Sequence, residues 1–378
     1  MAEFYDAIVL GLGAMGSASL YHLARRGYKV LGLERFSIPH EMGSSHGVTR
    51  IIRLAYYEHP SYVPLLFRAY ELWRELETRS GERLLHITGS IDAGPRDGEI
   101  FRGAQLACEL HELPHEILTA RQLQQRFPAY CLPADTMALF QTQGGFLLPE
   151  RCIASHVKCA EDCGAEAHAH ERVLGWEPRG SGVRVTTENA VYDAARLVIS
   201  TGPWISELVP ILKNIAVPER QVLAWFQPWS ADLFDPHCFP VFNLTVEEGR
   251  YYGFPQFGIP GFKVGRYHHR QEAIDPDGMD RRCHTEDEQV LREFAEKYFP
   301  AGSGTTLSMQ TCIFTNTPDE HFVLGTDPRF PHVVICSPCS GHGFKFSAVV
   351  GEIVADLCES GETRHDISLH NVNRFFNS

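Results

Sequence analysis

Two periods of apolar residues alternate at the start of the chain. Ala7 to Leu10 form an unbroken apolar run, a glycine cluster follows, apolar positions recur with helical spacing from about Ala14 to Arg26, and a second run, Lys29 to Leu33, ends on Glu34. The pattern predicts strand, helix and strand within about 30 residues, the span of a parallel crossover unit. Helical spacing returns over Asp97 to Glu112 and Thr119 to Phe127. Ala165 to Val173 reads as a strand, and GVRVTTENAVYDAARLVISTGPW as a hairpin feeding an apolar strand, Arg196 to Ser200, that turns at Thr201, Gly202, Pro203 and Trp204. Between about 215 and 320 the segments VLAWFQPW, RYYGFPQFGIPGFKVGRYHH and TLSMQTCIFTN alternate and carry glycine or proline every few residues, as hairpins of an antiparallel sheet do. A last apolar run, HVVIC, ends on Cys336, and CSPCSGHGFKF predicts a strand-to-helix turn with the helix beginning near Phe344. The expected fold class is α/β (α+β mixed). One domain is assembled from the discontinuous segments 1–85, 146–215 and 321–378, and a second, mainly antiparallel sheet with helices, from 86–145 and 216–320. No internal repeat or low-complexity tract interrupts this pattern.

Composition narrows what such a fold binds. The 378 residues suffice for about two domains, and a formal net charge of -13 argues against a nucleic-acid surface and for a small-molecule ligand. No apolar run reaches the eighteen or so residues of a membrane span, and MAEFYDAIVLGLG lacks a basic segment followed by a cleavable apolar one, so a cytoplasmic protein is expected. Eleven scattered cysteines, an odd number in a chain of this size, read as reduced thiols.

The first chemistry is in GLGAMG. Gly11 allows a tight turn, Gly13 lets a pyrophosphate approach the helix N-terminus where Ala14 and Met15 open the first turn, and Gly16 lets helix and strand pack closely. Glu34, followed by Arg35, can accept hydrogen bonds from a ribose diol, and its charge disfavours a 2′-phosphate. The unit reads as a dinucleotide site, with a glycine turn that holds no ligand as the alternative. Downstream, Gly43, Ser44, Ser45, His46 and Gly47 precede Arg50 and Arg53, whose three-residue spacing predicts two guanidiniums on one side of a helical turn. Such a pair suits a carboxylate or phosphate, and a solvated helix face is the alternative. Cys336 and Cys339 have the spacing of half a zinc site, yet no second pair completes four ligands, so no metal is expected. A redox dithiol would begin a helix, whereas Cys336 ends a strand.

Taken in order, GLGAMGSASLYHLARRG, GSSHGVTRIIRLAY, YYGFPQFG with FKVG, CIFTNTPDEHF and SGHGFKFSAVVGEI resemble the monomeric sarcosine oxidase family of FAD enzymes over essentially the whole chain. That family includes N-methyltryptophan oxidase and the peroxisomal pipecolate and sarcosine oxidases. The resemblance implies a Rossmann-type FAD-binding domain joined to a mixed-sheet substrate domain, a monomer, and a flavin held through a cysteine thioether, here at Cys312. It implies Arg53 and Lys345 as the clamp on the substrate carboxylate and Lys263 as the lysine that activates dioxygen. His268 matches the active-site histidine, with His269 as the alternative because one extra residue follows Lys263. His46 and Arg50 match residues near the flavin ring, and Tyr252 an aromatic residue beside the substrate. Ser44, Val173, Thr201, Gly202 and Trp204 fall among the implied cofactor-binding positions. So do Gly341, His342, Gly343, Phe344 and Lys345, where small residues let the backbone approach the flavin and a helix dipole faces it.

The implied reaction is oxidation of a secondary amino acid: hydride transfer to FAD, hydrolysis of the imine, and reoxidation by O2 to hydrogen peroxide. Phe314 stands where sarcosine oxidases often carry tyrosine, and SSHG replaces SHHG. The substrate therefore stays open among sarcosine, another N-methyl amino acid and a cyclic imino acid such as pipecolate. A flavin dehydrogenase with a non-oxygen acceptor and a nicotinamide-dependent or non-catalytic nucleotide-binding protein are the other readings.

Overall fold

The N-terminal apolar run becomes strand Glu3–Leu10, paired in parallel with Val30–Leu33 on one side and Val191–Ile199 on the other. In the computed structural model, which describes residues 3–337 and 340–375, this sheet extends past Val30–Leu33 to Glu166–His168. Strand Val191–Ile199 shares its far edge between two partners. Its first residues pair antiparallel with Gly182–Thr187, and its last pair in parallel with Phe330–Cys336. Val173–Arg179 and Leu324–Asp327 complete eight strands. Helix Ala14–Ala24 packs between Pro149–Glu161 and Ser347–Ser360, and Val63–Ser80 lies against the latter two. Every residue of Ala14–Ala24 is buried, so this helix is apolar or small all round rather than amphipathic. Among the described residues no helix is long and apolar enough to cross a membrane.

The strand expected over Ala165 to Val173 is two strands. Glu166–His168 and Val173–Arg179 stand at opposite ends of the sheet path. Between them His170 has φ 57, a left-handed conformation that ends a strand. The buried Glu171 carboxylate holds this bend by accepting from Thr187 Oγ1 at 2.7 Å and Tyr192 Oη at 2.9 Å. Helical spacing also misreads Arg50 and Arg53. Arg50–Ile52 is a strand paired with Gly145–Leu147, in a three-stranded sheet with Leu85–Ile87. Residues three apart on extended backbone point to opposite sides, so the two arginines diverge instead of forming one pair.

The second sheet runs Thr306–Asn316, Val217–Phe226, Phe262–Arg266, Gly249–Phe254, Val241–Val246, Ser90–Pro95, Thr136–Gln141 and Glu116–Thr119, antiparallel except between Val241–Val246 and Ser90–Pro95. One face packs Phe226, Phe242 and Phe262 on Phe294 and Phe299, from and just after helix Thr285–Tyr298. The other face presents Asp92, Asn243, Tyr252, Lys263 and Cys312 to residues 44–53, which they meet through side-chain contacts or a shared cleft wall.

Strand parity also decides the histidines. Lys263, Gly265 and Tyr267 share one face, and Tyr267 reaches the cleft described below. His268 is one residue out of phase and turns away at φ 55. Its Nδ1 and Nε2 bond Glu219 at 3.0 Å and Glu320 at 3.2 Å. His269 is buried against Asp287 at 3.1 Å. Neither histidine lines the cleft, whereas Tyr267 does. Burial alone would lower the His268 pKa, but the bonds to Glu219 and Glu320 outweigh it and hold the imidazole up to about 9. A raised folded pKa adds stability that is complete below the unfolded value of about 6.5 and is lost as pH rises through about 9. Thermal unfolding of the wild type and His268→Gln should therefore differ most near pH 6.5 and converge toward pH 9.5; a gap unchanged across that range would remove the charged histidine from the argument.

Candidate active site

Parallel strands ending at Leu10, Leu33 and Ile199 open onto one cleft of about 1850 Å³, its mouth included, that extends to Lys345 and the second sheet. Ligands of open α/β sheets bind at this end of the strands. Gly11 has φ +80, and a Cβ there would lie 2.9 Å from Ser200 O; a Cβ on Gly16 would lie 1.8 Å from Gly11 O. Only glycine fits either position. Gly13 faces open space, with nothing within 4 Å of a Cβ, and it caps the helix without a side-chain bond. The first-turn amides around Ala14 and Met15 thus lack intrahelical partners and can receive an anion.

Glu34 is fixed from behind, its Oε2 accepting from Leu12 N at 2.8 Å and its Oε1 from Phe36 N at 3.0 Å. Both oxygens keep acceptor capacity toward the cleft, as a ribose diol requires. Arg35 pairs with Asp277 at 2.8 Å, and Trp204 Nε1 donates to the same oxygen at 2.7 Å. Val173, Gly202 and Thr201 complete this end, and Thr201 Oγ1 is buried with no partner among the described residues. Amides for a diphosphate, a carboxylate for a ribose and an unsatisfied hydroxyl form a donor set that fits a flavin dinucleotide.

The middle wall joins the two sheets. Cys312 is buried, with its Sγ 3.4 Å from Arg50 Nη2 and 3.7 Å from Ser44 O, and both Arg50 and Ser44 line the cleft. Arg50 Nη2 also donates to Ser44 O at 3.1 Å. Lys263 stands one layer back, where Nζ donates to Gly47 O, Thr49 O and Thr49 Oγ1 at 2.7, 2.8 and 2.9 Å. Burial, and then Arg50, pull its pKa below that of a free lysine, while three acceptors, one for each ammonium hydrogen, hold the charged form. His46 is buried with neither ring nitrogen partnered among the described residues, and burial followed by Arg50 and Lys263 lowers its pKa to about 3. It is therefore a neutral imidazole behind the wall. Glu150 holds the loop by accepting from Gly47 N at 2.6 Å and Val48 N at 3.1 Å.

At the far end Arg53 is buried, donating to Glu58 Oε2 at 2.7 Å with its Nε 3.6 Å from Asp92 Oδ1. Its guanidinium lies over the rings of Tyr56 and Tyr57, 4.5 and 4.2 Å from their centroids. Burial raises the Glu58 pKa, but Arg53 outweighs it and holds the carboxyl well below the usual range. For Asp92 burial wins over Arg53 and pushes the value up to about 6. Lys345 Nζ donates to His342 O at 2.7 Å. His342 accepts from Tyr56 Oη and donates from Nε2 to Glu320 O at 2.9 Å; burial lowers its pKa to about 4, so it is neutral. Gly341 has φ +75, and a Cβ there would lie 2.6 Å from the Phe314 ring. Tyr252, Tyr267, Gly343 and Phe344 line the same end, and Tyr267 Oη donates to Ser340 O. Cys336 is buried, and Cys339 lies outside the described residues. Among the described residues no group of three or more His, Cys, Asp or Glu side chains is placed to hold a metal.

The structure thus brings the glycine loop, Glu34, Ser44, Arg50, Arg53, Tyr252, His342 and Lys345 onto one cleft, with Cys312 against its wall, and leaves His46, Lys263, His268 and His269 off it. Sequence reading missed Glu58, Asp92, Asn243, Tyr267 and Asp277. Strand parity could have found Tyr267, two positions after Gly265; Asp277 has no local signal, because only the folded chain carries it to Arg35.

Comparison with known proteins agrees with this geometry. The family model described as FAD dependent oxidoreductase matches residues 6–357. The chain is 41% identical over 382 residues to a monomeric sarcosine oxidase from Streptomyces avermitilis, covering 99% of this chain and 98% of that protein. It is 33% identical over 374 residues to an N-methyl-L-tryptophan oxidase from Yersinia pestis, covering 98% and 99%. Among solved structures, NikD, described as an unusual amino acid oxidase essential for nikkomycin biosynthesis, superposes with a TM-score of 0.85 at 26% identity, covering 98% of this chain and 97% of NikD. An L-proline dehydrogenase from P. horikoshii, at 21% identity and a TM-score of 0.86, shares the fold over 100% of this chain and 99% of its own. A family match across nearly all of the chain, on a cleft whose donors fit the dinucleotide, makes this protein a member of the FAD-dependent oxidoreductase family.

Proposed function

We propose that this chain oxidises an N-methyl amino acid, sarcosine or a larger relative, and that its electrons pass to dioxygen. One observation carries the reading: the cleft that holds the glycine loop at one end holds two buried cations, Arg53 and Lys345, at the other. The names of the full-length relatives support the substrate class. We assign residues 1–85, 146–215 and 321–378 to cofactor binding, and 86–145 and 216–320 to the substrate. We also infer a monomer in the cytosol, where the ten described cysteines, all free, would stay reduced.

Bound FAD supplies the two-electron acceptor for the carbon–nitrogen bond. Gly13 and the helix N-terminus would hold its diphosphate, Glu34 its ribose, and Cys312 its ring through a thioether, with Arg50 as the cation beside the sulfur. Arg53 and Lys345 stand together at this end of the cleft and bring N–H donors suited to a carboxylate. Fixing the carboxylate there orients the amine toward the Arg50 wall. Neutral His342, whose Nδ1 already accepts from Tyr56, orders the Lys345 turn and does not take up a proton. Lys263 acts from behind Gly47 and Thr49 as a positive charge in a dry wall, which favours negative charge developing on oxygen.

Three measurements follow. Purified protein incubated in air with sarcosine, N-methylalanine, N-methyltryptophan and pipecolate should release peroxide with at least one N-methyl substrate; peroxide from none of them would end the proposal. The protein should be yellow, and the colour should stay with acid-precipitated wild type but leave acid-precipitated Cys312→Ala. Colour released equally from both would place the flavin link elsewhere or remove it. In stopped flow, Lys263→Met should slow reoxidation by roughly 100-fold or more and reduction by only a few-fold, and equal slowing of both steps would deny Lys263 the oxygen role.

A further inference from the structure

Asp92, Asn243 and Tyr252 form one cross-strand row on the second sheet. Asn243 is in register with Asp92 on one side and Tyr252 on the other, so all three side chains leave the same face. The opposite face of these strands is apolar, with Ile91, Ala93, Phe242 and Leu244 in the core. Asn243 and Tyr252 line the cleft next to Arg53, Glu58 and Lys345.

Asp92 is wholly buried, and its Oδ1 accepts from Asn243 Nδ2 at 2.9 Å. An ionised carboxylate only accepts, so this bond sets the carboxamide with its NH2 toward Asp92 and its Oδ1 away. Among the described residues no donor reaches that oxygen, although Asn243 is only 9% exposed and its accessible edge faces the cleft. An acceptor fixed in direction and open to the cleft is placed to meet a donor on the ligand. Its place limits which part of the ligand carries that donor. Asn243 shares the cleft with Arg53 and Lys345, on the fifth strand of the sheet, while Cys312 is on the first. With the carboxylate at the two cations and the amine turned toward the Arg50 wall, the substituent on the α-carbon is the group left to face Asn243.

We propose that Asn243, oriented by Asp92, is a specificity-determining residue that accepts a hydrogen bond from the substrate's side chain. The preferred substrate is then an N-methyl amino acid with a hydroxyl or N–H donor beside the α-carbon. This rests on the function proposed above, with Asp92 as a positioning residue.

The test compares kcat/KM of the holoenzyme for N-methylserine and N-methylalanine, which differ by one hydroxyl. The wild type should favour N-methylserine by about ten-fold or more, the scale of one hydrogen bond. Asn243→Leu should bring the ratio to within about two-fold, and Asp92→Asn, which lets the carboxamide turn, should lower it mainly through KM. Turnover of both substrates with a wild-type ratio near one overturns this inference and leaves the proposed function standing; the comparison needs no variant to fold. A preference that survives Asn243→Leu overturns it as well. No turnover of any N-methyl amino acid overturns both readings.

Discussion

Side chains alternate across a strand, and in the second sheet both faces are committed. One is filled by phenylalanines packed on the helix Thr285–Tyr298, so the other must carry every residue that the core cannot accept. That face holds Lys263, Tyr252, Asn243, Asp92 and Cys312. A slip of one residue in Val241–Val246 or Phe262–Arg266 would drive Asn243 or Lys263 into the aromatic core and turn Phe242 or Phe262 out of it. Fold and site are therefore specified together, and the site cannot be lost by a register error without losing the core.

The same geometry explains how so many cations are tolerated out of water. Burying an unpaired charge costs several kcal/mol even after relaxation. Arg53 is offset by Glu58 and approached by Asp92, Lys263 is surrounded by three acceptors, and Lys345 caps the His342 carbonyl. His46 and His342 are neutral because burial makes further charge too expensive. Two of these cations, Arg53 and Lys345, stand at the substrate end, while the dinucleotide end relies on uncharged amides and one fixed carboxylate.

The crossover unit at the N-terminus was legible because its signals are local: apolar run, glycine spacing and a terminal acid all lie within one stretch of chain. The antiparallel sheet was legible from alternation and turn residues. Arg50 and Arg53 were misread because three-residue spacing means one face only on a helix, and Arg50–Ile52 is a strand held by Gly145–Leu147, about a hundred residues away in sequence. Ala165 to Val173 was misread because Glu171 bends the chain through bonds to Thr187 and Tyr192, which no local pattern announces. His268 stands off the cleft for a subtler reason. Its match rested on a neighbouring tyrosine, whereas parity counted from Lys263 selects Tyr267 itself. Asp92 and Asn243 lie on strands distant in sequence and meet only through a parallel pairing, so their partnership was invisible before the fold.

The central claim is that one cleft holds FAD and, at its far end, the carboxylate of an amino acid. A crystal structure of the holoenzyme with a non-oxidisable carboxylate analogue of the substrate tests it most directly. Flavin should lie along the wall from Gly13 to Cys312 and the analogue's carboxylate within hydrogen-bond reach of Lys345 and Arg53, with Asn243 facing its substituent. A carboxylate bound away from both cations, or flavin absent from this cleft, would contradict it.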